Sequence, residues 1–150
     1  LENSLITDPK KRFQKKMGFI DFSELNEYTN EIIEKFNVKT TGVSALASSL
    51  SGGNLQKFVV GREIGQKPSL FIVNQPTWGV DALSAANIRQ AIVEIANNGA
   101  AIILISQDLD EILEISNKVA FLTNGSLSTP TNTAKIKIDE IGAIMGGISD

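Results

Sequence analysis

Two short unbroken apolar runs, residues 70–73 (Leu-Phe-Ile-Val) and 101–105 (Ala-Ile-Ile-Leu-Ile), constrain this chain more than any other feature. Each has the length of a strand rather than a helix, and an unbroken apolar run is the pattern of a strand covered on both faces. Between them Ile88, Ile92 and Ile95 recur at helical spacing, and Asn98-Gly99 supplies a helix stop. Strand, helix and strand in that order predict a parallel or mixed α/β sheet.

The flanking segments fit the same class. Asp21 and Glu24 have capping-box spacing, and Leu25, Tyr28, Ile32 and Phe36 follow at steps of three and four, which predicts an amphipathic helix. A Thr-, Gly- and Ser-rich loop over 40–49 leads into Ser51-Gly52-Gly53 and a second helix reaching about Gly65, closed by Pro68. Gly61 and Gly65 lower that helix's intrinsic stability but leave room for close packing. Asp108, Asp110 and Glu111 crowd the first turn of a further helix, where they complement its dipole. Residues 119–122 read as a third strand, and Asn124-Gly125 turns it into a hairpin with 126–128. Residues 3–18, with Lys10, Lys11, Arg12, Lys15 and Lys16, read as a solvated connector, 129–134 as loop and 135–145 as a last short helix.

Composition then removes chemistry. The 150 residues contain no Cys and no His, so disulfides, thiolate nucleophiles, imidazole bases and the usual zinc sets are excluded. A net charge of -3 gives no cationic surface for a phosphate backbone, which speaks against nucleic acid as a partner. The longest apolar stretch, 100–105, is far short of the ~20 residues a membrane span needs. The sequence opens on Leu1, without an initiator Met, and is expected to be an excised part of a longer polypeptide.

The residues that carry chemistry start at Ser51-Gly52-Gly53. Where a loop enters a helix, Ser51 can cap while the glycines leave backbone N–H groups closely approachable, and such an end binds phosphate. Gln56 follows within the same helical region, and the apolar run 70–73 leads straight into Asn74-Gln75-Pro76-Thr77, with Gly79-Val80-Asp81 beyond. In this order the pieces resemble the ABC ATPase family: signature loop, Walker B strand, a Pro-Thr step and a D-loop ending in Asp81. The run Ile-Ile-Leu-Ile-Ser-Gln-Asp-Leu-Asp-Glu at 102–111 resembles that family's switch strand and the helix after it. The resemblance implies a partial ABC-type nucleotide-binding domain of the RecA-like, P-loop NTPase fold. Its parts would be a helical subdomain with the signature motif at 1–66, a core half at 67–129 and a tail at 130–150. Ser51, Gly52, Gly53, Asn54, Gln56 and Asp81 would be its nucleotide-contacting residues.

Three positions depart from the hydrolytic pattern. The family's strand-end Asp, a partner of the magnesium ion, is Asn74 here, the adjacent catalytic Glu is Gln75, and the switch His is Gln107. An amide takes no proton from water near neutral pH and adds no charge to a magnesium shell, so no catalytic residue is intact and no metal ligand is expected. With Trp78 in place of an expected Arg, the string from Asn74 to Asp81 resembles the second nucleotide-binding half of sugar and nucleoside importers whose ATPase subunits carry two halves. Trp78 is expected to pack between halves. No Gly-x-x-x-x-Gly-Lys-[Ser/Thr] loop occurs in the sequence, so the P-loop is expected upstream.

The resemblance therefore implies ATP and Mg²⁺ for the complete subunit and neither for this chain alone. It implies a sister nucleotide-binding half, a transmembrane permease and, indirectly, a solute-binding protein as partners, and a cytoplasmic location on the inner face of the membrane. A non-hydrolytic regulatory module and an ABC-like ATPase of DNA repair are the alternatives, the second weakened by the charge balance.

Overall fold

The computed structural model describes residues 1–8, 12–15, 18–136 and 141–142. Contacts divide the chain into two compact units, one running to Ile105 and one from Ser106 onward.

The first unit is built from helices α1 (Glu2–Ile6), α2 (Phe22–Lys35), α3 (Gly52–Gly65) and α4 (Ala82–Asn97) with strands β1 (Leu70–Asn74) and β2 (Ala101–Ile105). The strands pair in parallel, Leu70 opposite Ala101 through Asn74 opposite Ile105, with α4 as the crossover. This is the predicted strand–helix–strand order. Asp21 caps α2 by accepting from the Ser23 and Glu24 amides, and Leu25, Tyr28, Ile32 and Phe36 are all buried.

Two expectations are corrected here. The segment read as a solvated connector contains α1, and Phe13 within it is completely buried. Phe13 packs against Tyr28 at 5.4 Å between ring centroids, and the Arg12 guanidinium lies 4.0 Å from the Tyr28 ring centroid, a cation over an aromatic face. Lys10, Lys11 and Lys16 lie outside the described residues. The strands, expected to be covered on both faces, are covered on one. Phe71 and Val73 are buried, whereas Leu70 and Ile72 are 52% and 60% exposed and Ile103 and Ile105 49% and 51% exposed. Alternation along a strand sends these side chains to opposite faces, and α4 packs against β2.

Helices α2 and α3 cross closely because α3 carries glycine where they meet. A Cβ on Gly61 would stand 2.5 Å from the Phe36 ring, and one on Gly65 would stand 2.6 Å from Tyr28 Oη. Tyr28 Oη donates to the Arg62 carbonyl at 2.8 Å, and burial pushes the phenol up to about 12. The helical penalty of glycine is thus exchanged for aromatic packing. Gly61→Ala is expected to destabilise the chain by about 1–3 kcal/mol despite alanine's better helix propensity, because the methyl must displace a buried ring. Chemical denaturation checks this: a midpoint at or above that of the unsubstituted chain rules the packing account out.

The second unit contains α5 (Leu109–Ile115) and the strands β3 (Lys118–Val119), β4 (Leu122–Thr123), β5 (Ser126–Leu127) and β6 (Thr131–Asn132). Asp108 caps α5 by accepting from the Glu111 amide at 3.1 Å. The hairpin at Asn124-Gly125 forms as predicted, with both residues at positive φ as a two-residue turn requires. The single strand expected over 119–122 is instead divided. Val119 pairs with Thr131, in a segment expected to be loop, and Leu122 pairs with Leu127. Glu111, expected in the first turn of this helix, is 1% exposed, and its carboxylate accepts no hydrogen bond from the described residues. Of the expected last helix, Ile141 and Gly142 are helical; residues 137–140 and 143–145 lie outside the described set.

Candidate functional site

Ser51 starts α3 with extended backbone, and its hydroxyl accepts from the Asn54 amide at 3.4 Å and from the Asn54 side-chain amide at 2.9 Å. The Asn54 side-chain oxygen accepts from the Lys39 amide at 2.8 Å, so Asn54 ties the helix start to the loop before it. Gly52 is open: a Cβ there would meet nothing within 4 Å. Gly53 is not, since a Cβ would stand 2.6 Å from the Gly79 carbonyl oxygen. The two glycines therefore do different things. Gly52 leaves the helix start approachable from outside, and Gly53 lets the loop after β1 come against it.

That loop, 75–81, is held at several points. The Gln75 amide donates to Ile105 at 2.8 Å, which extends the β1–β2 ladder by one bond, and Gln75 itself then turns at φ 51. Gln56 Nε2 donates to the carbonyls of both Gln75 and Pro76, at 3.0 and 3.1 Å. Pro76 is among the fully buried side chains, whereas Trp78, two residues on, is 71% exposed. Asp81 caps α4, accepting from the Ser84 amide at 2.9 Å and the Ser84 hydroxyl at 2.7 Å. The Ser84 hydroxyl and amide hold the Asp81 carboxyl below the usual carboxylate range, and Lys57, 3.9 Å away, adds to this.

The structure thus gathers Ser51, Gly52, Gly53, Asn54, Gln56, Gln75 and Asp81 around one helix start and one loop. Asn74 stands at the end of β1, exposed, on the face shared with Leu70 and Ile72. Gln107 belongs to the second unit, exposed in the bend before α5, where Ser106 Oγ accepts from the Asp108 amide. Lys57 was missed by sequence reasoning. It is 4% exposed, with Nζ donating to the Asn37 carbonyl at 2.8 Å. A lysine next to Gln56 in a polar helix start gives no local signal that it will be buried.

No family model matches the chain. It is 38% identical over 135 residues to the nucleoside import ATP-binding protein NupA of Lactococcus lactis, a match covering 88% of the chain and 26% of that protein. It is 36% identical to the glucose import ATP-binding protein TsgD13 of Haloferax volcanii, over 87% of the chain and 24% of the relative. It is 34% identical to the galactose/methyl galactoside import ATP-binding protein MglA of Escherichia coli, over 93% of the chain and 27% of the relative. Among solved structures, the ATP-binding cassette MJ0796 in a dimeric post-hydrolysis state bound to ADP and Pi superposes with a TM-score of 0.68 at 18% identity, over 78% of this chain and 50% of that one. An ATP-binding subunit of an ABC transporter superposes with a TM-score of 0.65 at 20% identity, over 85% and 50%. The chain belongs to the ABC ATP-binding family. It spans about a quarter of the length of the curated relatives it matches.

Within an ABC domain, the fold seen here is the α/β P-loop NTPase class expected from the sequence. The residues that this chain would offer a magnesium ion fit it poorly. Asn74 and Gln75 present neutral amides, and no group of three or more His, Cys, Asp or Glu side chains among the described residues is placed to hold a metal.

Proposed function

We propose that this chain is the signature-motif part of an ATP-binding subunit of an ABC importer for sugars or nucleosides, and that it closes the start of α3 on ATP held by a sister half. The observation that carries this is the pairing of an open Gly52 with a capped, fixed helix start. Backbone N–H groups at such an end point outward, the dipole favours an anion, and no side chain blocks the approach. Ser51 adds a hydroxyl at the same edge. Asn54 and Gln56 act from behind, where their hydrogen bonds fix the loop geometry rather than meet the nucleotide.

The chain's own half-site is degenerate in this reading. Asn74 and Gln75 mark where the β1 strand delivers its end residues, and neither can deprotonate a water molecule or neutralise phosphate charge. Gln107 contributes an amide from the second unit in the same sense. The half that holds this chain's own nucleotide would come from elsewhere in the parent protein, and the open apolar face of β1 and β2 is where its strands and helices would pack. Trp78, rigidly based and outward, is a contact for the sister half. The permease and, through it, a solute-binding protein complete the assembly on the cytoplasmic face of the membrane. No helix among the described residues is long and apolar enough to cross a membrane.

The chain alone is expected to show no ATPase activity and at best millimolar affinity for Mg-ATP, since a helix start without a phosphate-cradling loop offers few donors. Calorimetry decides this, and micromolar binding by the isolated chain would overturn the composite-site reading. A regulatory module that closes on ATP without transport is distinguished by deleting the gene: normal solute uptake in the deletion strain supports the module, and lost uptake supports the importer.

A further inference from the structure

Lys57 is taken almost wholly out of water on α3, and its two contacts reach the segment just after α2 and the start of α4. Its Nζ donates at 2.8 Å to the carbonyl of Asn37, which follows the α2 C-cap residue Phe36 with φ at 48. On the other side it lies 3.9 Å from the carboxylate of Asp81, at the end of the 75–81 loop. The ammonium thus sits between a carbonyl oxygen and a carboxylate from different parts of the chain. Removing an ammonium from water is costly, and a packed apolar side chain would avoid the cost. A charge kept here is informative about position, because an ammonium held between a carbonyl oxygen and a carboxylate keeps them at a set separation.

The neighbouring contacts say what is being held. Gln56 binds the beginning of the 75–81 loop, Gly53 meets its Gly79 carbonyl, and Lys57 reaches its end at Asp81. The first two connect the loop to α3 alone. Lys57 adds the segment just after α2, through the Asn37 carbonyl.

We infer that Lys57 is a positioning residue: a buried strut that sets the loop ending in Asp81 relative to the α2–α3 helix pair, so that a displacement of that pair reaches the edge where ATP is closed upon. This rests on the reading given under Proposed function. Lys57 itself touches no nucleotide.

The test is a double-mutant cycle in the assembled parent transporter, with steady-state phosphate release measured against ATP concentration. Lys57→Met keeps the aliphatic stem and removes the charge. Asp81→Asn removes the other charge while retaining a good helix cap, so it remains informative even if Lys57→Met folds poorly. Each single change is expected to lower kcat about tenfold with KM for ATP within about twofold of wild type, since misplacement of supporting groups costs rate. The double variant is expected to be no slower than the slower single one, because both changes break the same strut. Multiplying effects, or a fall in thermal stability with kcat unchanged, would overturn the strut. Ser51→Arg run in parallel separates the two levels. If it turns over normally, the nucleotide-closing reading itself has failed; if it is dead while Lys57→Met runs at wild-type rate, only the strut has failed.

Discussion

Gly52→Asp in the parent ATP-binding subunit is expected to abolish solute uptake and to lower ATP hydrolysis by more than about a hundredfold, with the fold unchanged. The separation of function from folding follows from what surrounds this glycine. A Cβ at Gly52 meets nothing within 4 Å, and its φ is not among the positive ones, so an L side chain enters without strain. Aspartate in the first turn of a helix is favourable in itself, since it complements the dipole. The same charge stands where the terminal phosphate must approach the α3 amides, and it replaces an attractive field with a repulsive one; loss of a single well-placed donor to a reacting oxyanion already costs ~10²–10³ in rate. Ser51→Arg should act alike by filling the approach, at a folding cost of ~1 kcal/mol for the lost cap. Gly53→Ala is the contrasting control, because its methyl would strike the Gly79 carbonyl and disturb the loop rather than the approach. Uptake assays and phosphate release, with circular dichroism of each variant, check the set. A well-expressed Gly52→Asp transporter working at wild-type rate means that the helix start is a cap and nothing more.

The other large effect lies in the asymmetry between two nucleotide sites. Gln75→Ala in the full subunit should reduce turnover less than about threefold, whereas replacing the Glu expected at the matching position of the sister half should reduce it by ~10²–10⁴, the range of a general base. Gln75 makes a clean probe because its backbone does the structural work: its amide donates to Ile105 and its carbonyl accepts from Gln56 and from the Trp78 amide. Alanine preserves all three bonds and stands at φ 51 no worse than glutamine does. What is deleted is the amide group alone. Steady-state phosphate release by the assembled transporter compares the variants. Equal and complete loss from both substitutions, in proteins that fold and bind ATP, would show that this half is catalytic and that the degenerate-site argument is wrong.

Asn74 and Gln75 were singled out by the resemblance of the string they open to that of ABC ATPases, and the apolar run before them made the end of a strand legible there. Their partners were not legible in the same way. Gln56 donates from its side chain to the carbonyls of Gln75 and Pro76, and nothing in its helical spacing indicates those partners. Trp78 was expected at an interface and stands exposed on the loop.

The sequence by itself determined the local starts and stops. Asp21, Ser51, Asp81 and Asp108 each cap a helix by accepting from an amide three residues on, Asn124-Gly125 makes its turn, and the two apolar runs become parallel strands. All but the strand pairing depend on groups a few residues apart, whose geometry is set once the residue types are known. Only the tertiary structure decided that one sheet face is open, that Phe13 and Lys57 are buried, that Gly61 admits an aromatic ring and that Val119 pairs with Thr131. Those outcomes depend on which distant surface arrives: Lys57 meets a carbonyl 20 residues away and Gln56 one 19 residues away. Alternation along a strand or spacing along a helix says which side chains share a face. It carries no information about what covers that face, because the covering group is chosen by the packing of the whole chain.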